Sequence, residues 1–328
     1  MSKLVHWIQR VKLHIILILN EDPVPLRSLI RHCIGVVICR FRYGTNIEDY
    51  FNYRYFELTP EERKSFFTYY QAAKFIIHAN GAENHYKFQQ KTHMYQVLGK
   101  FTKREQLFLP TDDYQTFETF FQKHKTVLYT PSAYCGDGIE LWSADSSDIA
   151  KLYEKSLERS AVLDELVTQH PDLARLNPDS INTVKIYTFM IGGICHFVAA
   201  EFRMGRRGSV IDNIEKGGLA ANVDMSSGKI IGTAYDYQMN QYTNHPDTGA
   251  RLTGYVLPNW KEVLRFTEEC AKACPLTYVE WDIAIRENDC VLIEANSNAR
   301  SVGIQLGPLH FRKKQFDELA ELYDKSIS

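Results

Sequence analysis

Three oxygen-bearing side chains near the end of the sequence, Asp282, Glu294 and Asn296, have the types and spacing of a metal-dependent site. They lie in the stretch TYVEWDIAIRENDCVLIEAN, residues 277–296. Two apolar runs, 277–285 and 290–295, flank Arg286-Glu287-Asn288-Asp289, a short polar link of the kind that joins hairpin strands. Side chains alternate faces along a strand, so Glu280, Asp282 and Ala284 share one face. On the second strand the same alternation groups Leu292, Glu294 and Asn296. A carboxylate among apolar neighbours is costly unless something pairs with it, and water, an arginine or a hard cation can each do so. An acid in each strand, with a side-chain carbonyl two residues after the second, favours Mg²⁺.

Three further pieces could hold anions. In 130–138 (TPSAYCGDG) the glycines let backbone N–H groups approach a phosphate, although a tight hairpin needs glycine equally. Lys185 sits inside a β-prone apolar run and shares a face with Thr183 and Tyr187, placed to neutralise a phosphate or, on an edge strand, to reach water. Residues 201–218 pack three arginines, four glycines and Asp212-Asn213 into 18 positions. Arginine's planar fork suits phosphate or carboxylate oxygens. Arg203, at a strand end, is the candidate site residue, whereas Arg206 and Arg207 are expected in solvent.

The elements that must position these residues follow from pattern. Thr59-Pro60-Glu61-Glu62 is a helix start, with a cap, a first-turn proline and acids at the positive end. That helix is expected to run to about His78 and stop at Asn80-Gly81, and a second, basic one carrying Lys87, Lys91 and Lys100 to cover 84–101. From residue 105 short strands alternate with helices: strands at 106–109, 126–130, 139–142 and 161–168, helices at 112–123 and 146–158. Longer strands are expected at 183–190, 194–202, 219–225 and 229–236, and helices at 258–274 and 311–327. A helical front, a strand-rich middle and a late acidic hairpin make an α+β body. Its expected divisions are a helical region 1–103, a small lobe 104–168 with the glycine loop, and a large lobe 169–328 with the metal site.

The totals narrow the function classes. Apolar content of 45% and charged content of 24% are ordinary for a globular protein. A net charge of −2, without a basic patch interleaved with aromatics, argues against nucleic acid as partner. The seven scattered cysteines include no CxxC, which reads as reduced thiols in a cytoplasmic protein. Residues 1–20 hold Lys3, Arg10 and Lys12, no acid, and Leu4, Ile8, Val11 and Ile15 at helical spacing. Such a helix suits peripheral contact with a membrane surface, at the inner face, although a first helix packed on its own domain is the commoner arrangement.

Seven ordered blocks resemble the ATP-grasp proteins associated with sugar transfer and surface-polysaccharide gene clusters. They are Asn182-Thr183-Val184-Lys185, Arg203-x-Gly205, Asp212-Asn213 with Gly217-Gly218, His245-Pro246-Asp247-Thr248-Gly249, Pro258-x-Trp260, Trp281-Asp282 and Glu294-Ala295-Asn296-Ser297. The resemblance covers about residues 160–300. It implies an ATP-grasp fold, in which two α+β lobes clamp ATP and the helical N-terminal region contributes to the acceptor site. It further implies Asp282, Glu294 and Asn296 as Mg²⁺ ligands, and Arg203 and Lys185 as the catalytic cations near the transferred phosphoryl group. The expected nucleotide-binding set is Lys87, Lys125, Gly136, Gly138, Glu165, Val167, Lys185, Asp212 and Asn213, with Glu165 in the hinge that holds adenine and ribose. Thr130 stands where such proteins usually carry a lysine, with Lys125 the nearest substitute, and Lys185 stands where they usually carry arginine.

The activity this implies is an ATP- and Mg²⁺-dependent ligase. It would activate a small-molecule carboxylate as an acyl phosphate and join it to an amine or a sugar-linked hydroxyl acceptor. A kinase acting on a sugar or polyol hydroxyl, and a nucleotide-binding module with reduced catalysis, are the alternatives.

Overall fold

The computed structural model describes residues 3–109, 111–131, 138–145, 148–300, 303–306 and 312–328. Its front is helical: α1 (Lys3–Leu19), α2 (Leu26–Tyr43), α3 (Ile47–Asn52), α4 (Pro60–Lys64), α5 (Tyr69–Asn80), α6 (Ala82–Phe88) and α7 (Lys91–Thr102). The helix start at Thr59 is present as a capping box: Glu62 N–H donates to Thr59 Oγ1, and Thr59 N–H donates to Glu62 Oε2 at 2.8 Å. The single helix expected from there to His78 is two, because Phe66 and Phe67 enter different cores. Phe66 stacks on Tyr53 with centroids 4.6 Å apart, and Phe67 on Phe316 at 4.0 Å. The helix expected over 84–101 is likewise interrupted, between α6 and α7.

A small sheet follows, from β1 (Gln106–Phe108), β2 (Thr126–Thr130), β3 (Glu140–Ser143) and β4 (Val162–Glu165), with α8 (Tyr114–His124) and α9 (Ile149–Glu158) in between. Its strand order is β1-β4-β2-β3, antiparallel throughout. After α10 (Pro171–Leu176) come β5 (Thr183–Ile191), β6 (Ile194–Met204), β7 (Leu219–Val223), β8 (Ala234–Tyr235) and β9 (Gln241–Tyr242). Then α11 (Trp260–Ala273), β10 (Tyr278–Ile285), β11 (Cys290–Asn296) and α12 (Lys313–Ile327) complete the chain. The described strands of this second half form one antiparallel sheet ordered β11-β10-β5-β6-β7-β8-β9. The long strand expected over 229–236 is only Ala234–Tyr235, since the carboxylate of Asp236 accepts N–H bonds from Gln238 and Asn240 and turns the chain.

The large sheet has one apolar face. Val184, Ile186, Phe202, Trp281 and Ile283 are fully buried there in one cluster with Val263, Phe266 and Cys270 of α11. Each such side chain contributes about 1.5–3 kcal/mol on burial. At one end of the opposite face, Tyr187, Phe189 and Tyr278 are covered by Phe75 of α5 and Phe316 of α12. Asn80, at the end of α5, fixes that cover: its Nδ2 donates to the Tyr278 carbonyl and its Oδ1 accepts from Tyr278 N–H, both at 2.8 Å. The rest of that face is polar. The described cysteines form no disulfide, and no described helix is long and apolar enough to cross a membrane.

Candidate active site

The two strands of the late hairpin pair as expected, with one irregularity that decides which side chains face each other. Glu280 stands opposite Asn296 and Asp282 opposite Glu294, but Ile283 stands opposite Leu292. Ile293 is therefore an extra residue, a β-bulge. Strict alternation groups Leu292 with Glu294. The bulge corrects this, turning Leu292 into the apolar core, where it is fully buried, and leaving Glu294 across from Asp282.

Register then extends the acids into a row across five strands: Asn222, Glu201, Lys185, Asp282 and Glu294, each directly opposite the next. Cross-strand partners share a face, with Cβ atoms about 4.5–5.5 Å apart. Lys185 Nζ donates to Glu280 Oε1 at 2.6 Å and to Asp282 Oδ2 at 2.9 Å. Asp282 Oδ1 lies 2.7 Å from the same nitrogen yet accepts no directed hydrogen bond. One strand further, Arg203 Nε donates to Glu201 Oε1, while Glu201 Oε2 is buried without a hydrogen-bond partner. Asn296 Nδ2 approaches Glu280 Oε1 at 3.3 Å.

Three buried carboxylates thus share two cations, and the imbalance shows in their protonation. Burial, opposed by Lys185 and reinforced by Glu280 and Glu294, pushes Asp282 up to about 7. Glu280 is also buried, but the attraction of Lys185 and Arg203 prevails and lowers it. Lys185 itself is raised: burial alone would lower it, and Asp282 and Glu280 overcome that. Glu280 is therefore the carboxylate that holds the ammonium, and Asp282 is the surplus acid. A hard cation suits that arrangement, since Asp282 offers a buried oxygen without a directed donor and Glu294 and Asn296 add oxygens from the neighbouring strand. Among the described residues, no three His, Cys, Asp or Glu side chains form a ready-made metal cage.

Sequence reasoning did not find three of the partners. Glu280 and Glu201 hold Lys185 and Arg203; alternation puts Glu280 on the face of Asp282 and Glu201 on the face of Arg203, the local signal that could have found them. Arg104, between α7 and β1, is buried and ties the two sheets together. Its Nε donates to Asp164 of β4 at 3.0 Å and its Nη1 to the Leu292 carbonyl at 2.7 Å, beside the bulge. Spacing gives no signal for such a long-range bond.

The other expected residues are placed as follows. Asp212 Oδ2 accepts from Thr183 N–H at 2.9 Å and Thr183 Oγ1 at 2.6 Å, which fixes the start of β5. Asn213 caps the turn 214–216 through Glu215 N–H. Lys125 follows α8 with φ +60 and links backbone to Phe121 and Ala144. Glu165 ends β4, and its Oε2 accepts from Glu105 N–H at 2.9 Å. Val167 is half-buried just beyond it. Lys87 is exposed on α6 and paired with Glu83 at 2.6 Å. Gly138 has φ +75, while Gly136 lies outside the described residues. Thr130 is buried at the end of β2.

Arg206, expected in solvent, is instead buried against Asp236 at 3.2 Å and Tyr242 at 3.0 Å. It thereby joins residues 205–218 to 236–257. The same two loops meet where buried His245 Nε2 approaches the Gly205 carbonyl at 2.8 Å and Asp247 accepts Arg207 N–H at 2.5 Å.

These are the features of an α+β protein with two antiparallel sheets and a charged row across the larger one. The chain belongs to the sugar-transfer associated ATP-grasp family, whose model matches residues 143–316, and it has the ATP-grasp fold with a helical N-terminal region. Among solved structures it is similar to the ATP-grasp ligase PsnB complexed with its precursor peptide PsnA2 and AMPPNP, at 14% identity, TM-score 0.47, over 75% of this chain and 62% of that one. It is also similar to D-alanine–D-alanine ligase from Bacillus anthracis, at 12% identity, TM-score 0.42, over 73% and 67%. A third is D-cycloserine synthetase DcsG, at 9% identity, TM-score 0.42, over 71% of each chain. Comparison with curated protein sequences finds no match.

Proposed function

We propose that this protein is an ATP-dependent ligase that activates a carboxylate as an acyl phosphate and joins it to an amine or hydroxyl acceptor. We further propose a sugar-linked acceptor, in surface-polysaccharide or sugar-conjugate biosynthesis. The observation that carries the reading is the row Glu201–Lys185–Asp282–Glu294, in which one cation stands among three acids on one face. Family membership and the sugar-transfer description of the family support it.

In this reading an oxygen of the substrate carboxylate attacks the γ-phosphorus of ATP and ADP leaves. The acceptor then attacks the acyl carbon, phosphate departs and the acceptor loses its proton. Such chemistry asks the protein for position and charge neutralisation rather than covalent work. Mg²⁺, held by Asp282, Glu294 and Asn296, would offset charge on the β- and γ-phosphates. Lys185 and Arg203, fixed by Glu280 and Glu201, would stand next to the phosphoryl group in transfer. Loss of one such donor costs about 2.7–4 kcal/mol in comparable sites.

The test is a mass-spectrometric screen of carboxylates with amine and sugar acceptors, scored for ADP and for a new amide or ester. Asp282→Asn and Glu294→Gln are expected to abolish Mg²⁺-dependent turnover with the fold intact. Phosphate retained on the acceptor without a new acyl bond would refute the ligase, and full turnover in either variant would remove the metal assignment.

A further inference from the structure

Outside the row, α2 carries an apolar stripe turned to solvent. Leu26, Ile30, Ile34, Val37, Ile38 and Phe41 are all exposed, Leu26 by 70% and Phe41 by 82%. Their spacing puts them on one side of the helix. The buried positions His32, Val36 and Cys39 fall on the other side, against the protein. Single exposed apolar residues are normal, whereas six in one stripe mark a contact surface. On α1, Leu4 and Leu13 are exposed as well.

Charge says what the stripe would meet. Helices α1 and α2 contain Lys3, Arg10, Lys12, Arg27, Arg31, Arg40 and Arg42, and no Asp or Glu. Arg10 is paired with Glu48 and Arg40 bonds the Tyr70 hydroxyl, while Arg27 and Arg42 stand exposed near the two ends of the stripe. This local excess stands out in a chain whose formal charge is −2. A cleft of about 670 Å³ opens alongside, sharing Ile34 and Ile38 with the stripe and lined also by Arg31. The acids of the cleft, Glu21 and Glu57, lie outside the two helices. Apolar side chains on helices that carry cations and no acid complement an anionic lipid surface, where the chains enter the acyl boundary and the arginines meet headgroup phosphates. A second copy docked on the same face would set like charges against each other.

We propose that α1 and α2 form a face that seats the protein on an anionic bilayer. The proposal is independent of the ligase reading. The test is flotation of the full chain with vesicles of phosphatidylcholine alone or mixed with phosphatidylglycerol. The protein is expected to float with the mixed vesicles only, and to be released by salt as the charges are screened. Arg27→Gln and Arg42→Gln should each weaken partitioning about fivefold. Ile34→Ser and Phe41→Ser, at exposed positions, should abolish flotation while leaving the thermal melt unchanged. Three results would overturn the proposal: no flotation of the wild type with mixed vesicles, unchanged flotation of Phe41→Ser, or a solution dimer that Phe41→Ser dissociates.

Discussion

Replacing Lys185 by Met removes one charge from a buried site and leaves Glu280 and Asp282 facing each other. Their nearest oxygens lie 2.6 and 2.7 Å from the same nitrogen, so they are at most about 5.3 Å apart. At an effective dielectric of about 20, two unit charges at that distance repel by about 3 kcal/mol. That falls at the low end of the roughly 3–5 kcal/mol lost when a buried pair is broken from one side. The cost should be largest at high pH and shrink as pH falls. Burial raises Asp282 to about 7 even with Lys185 opposing it, so without Lys185 the carboxyl takes up its proton at a higher pH still and the repulsion disappears. Asp282→Asn in the Lys185→Met background should recover most of the loss. So should millimolar Mg²⁺, if the cation binds where the ammonium was. Urea denaturation with EDTA or Mg²⁺ measures all of this through the midpoint at constant slope. A cost below about 1 kcal/mol, or an Asp282→Asn change that deepens the loss, would refute the assignment of Lys185 as the neutraliser of an acid pair.

Two other outcomes follow from single residues. Asp49 is buried in the helical region and pushed up to about 7 by burial, against bonds from Tyr69 and Asn46 N–H, while its ordinary value is 3.8. The folded state therefore holds this proton between those values, its contribution is complete below about pH 4, and it is lost as pH rises through about 7. Subtracting Asp49→Asn stability from wild-type stability across pH 4–8 should give a falling curve, and a flat one would reject the shift. At Gly303 a Cβ would collide with the Glu201 carboxylate, which is fully buried. Gly303→Ala should displace Arg203 through Glu201 and lower kcat by about tenfold to a hundredfold, with KM for ATP little changed. Unaltered kcat would show that Glu201 does not position Arg203.

Much of the site was legible because local rules carried it. The hairpin around Arg286-Glu287-Asn288-Asp289, the acid in each of its strands, and the lysine inside a β-prone run follow from alternation and polarity within short windows. The start of α4 was legible for the same reason, since a capping box joins residues three apart. The end of that helix was not. Phe66 and Phe67 read as one more helical turn, and only the two separate cores that receive them break it.

What the sequence determined by itself was the inventory: which strands carry charge, which runs are apolar, and the order of the blocks. Tertiary structure decided who faces whom. Glu280 became the partner of Lys185, and Glu201 the cross-strand neighbour of Lys185, only through strand register, and Arg104 reached the second sheet across 188 positions. The bulge at Ile293 sent Leu292 inward and kept Glu294 with Asp282, although alternation alone groups Leu292 with the acids. Neither register nor bulge is encoded in any short window. Both are set by the packing of a whole apolar face against α11.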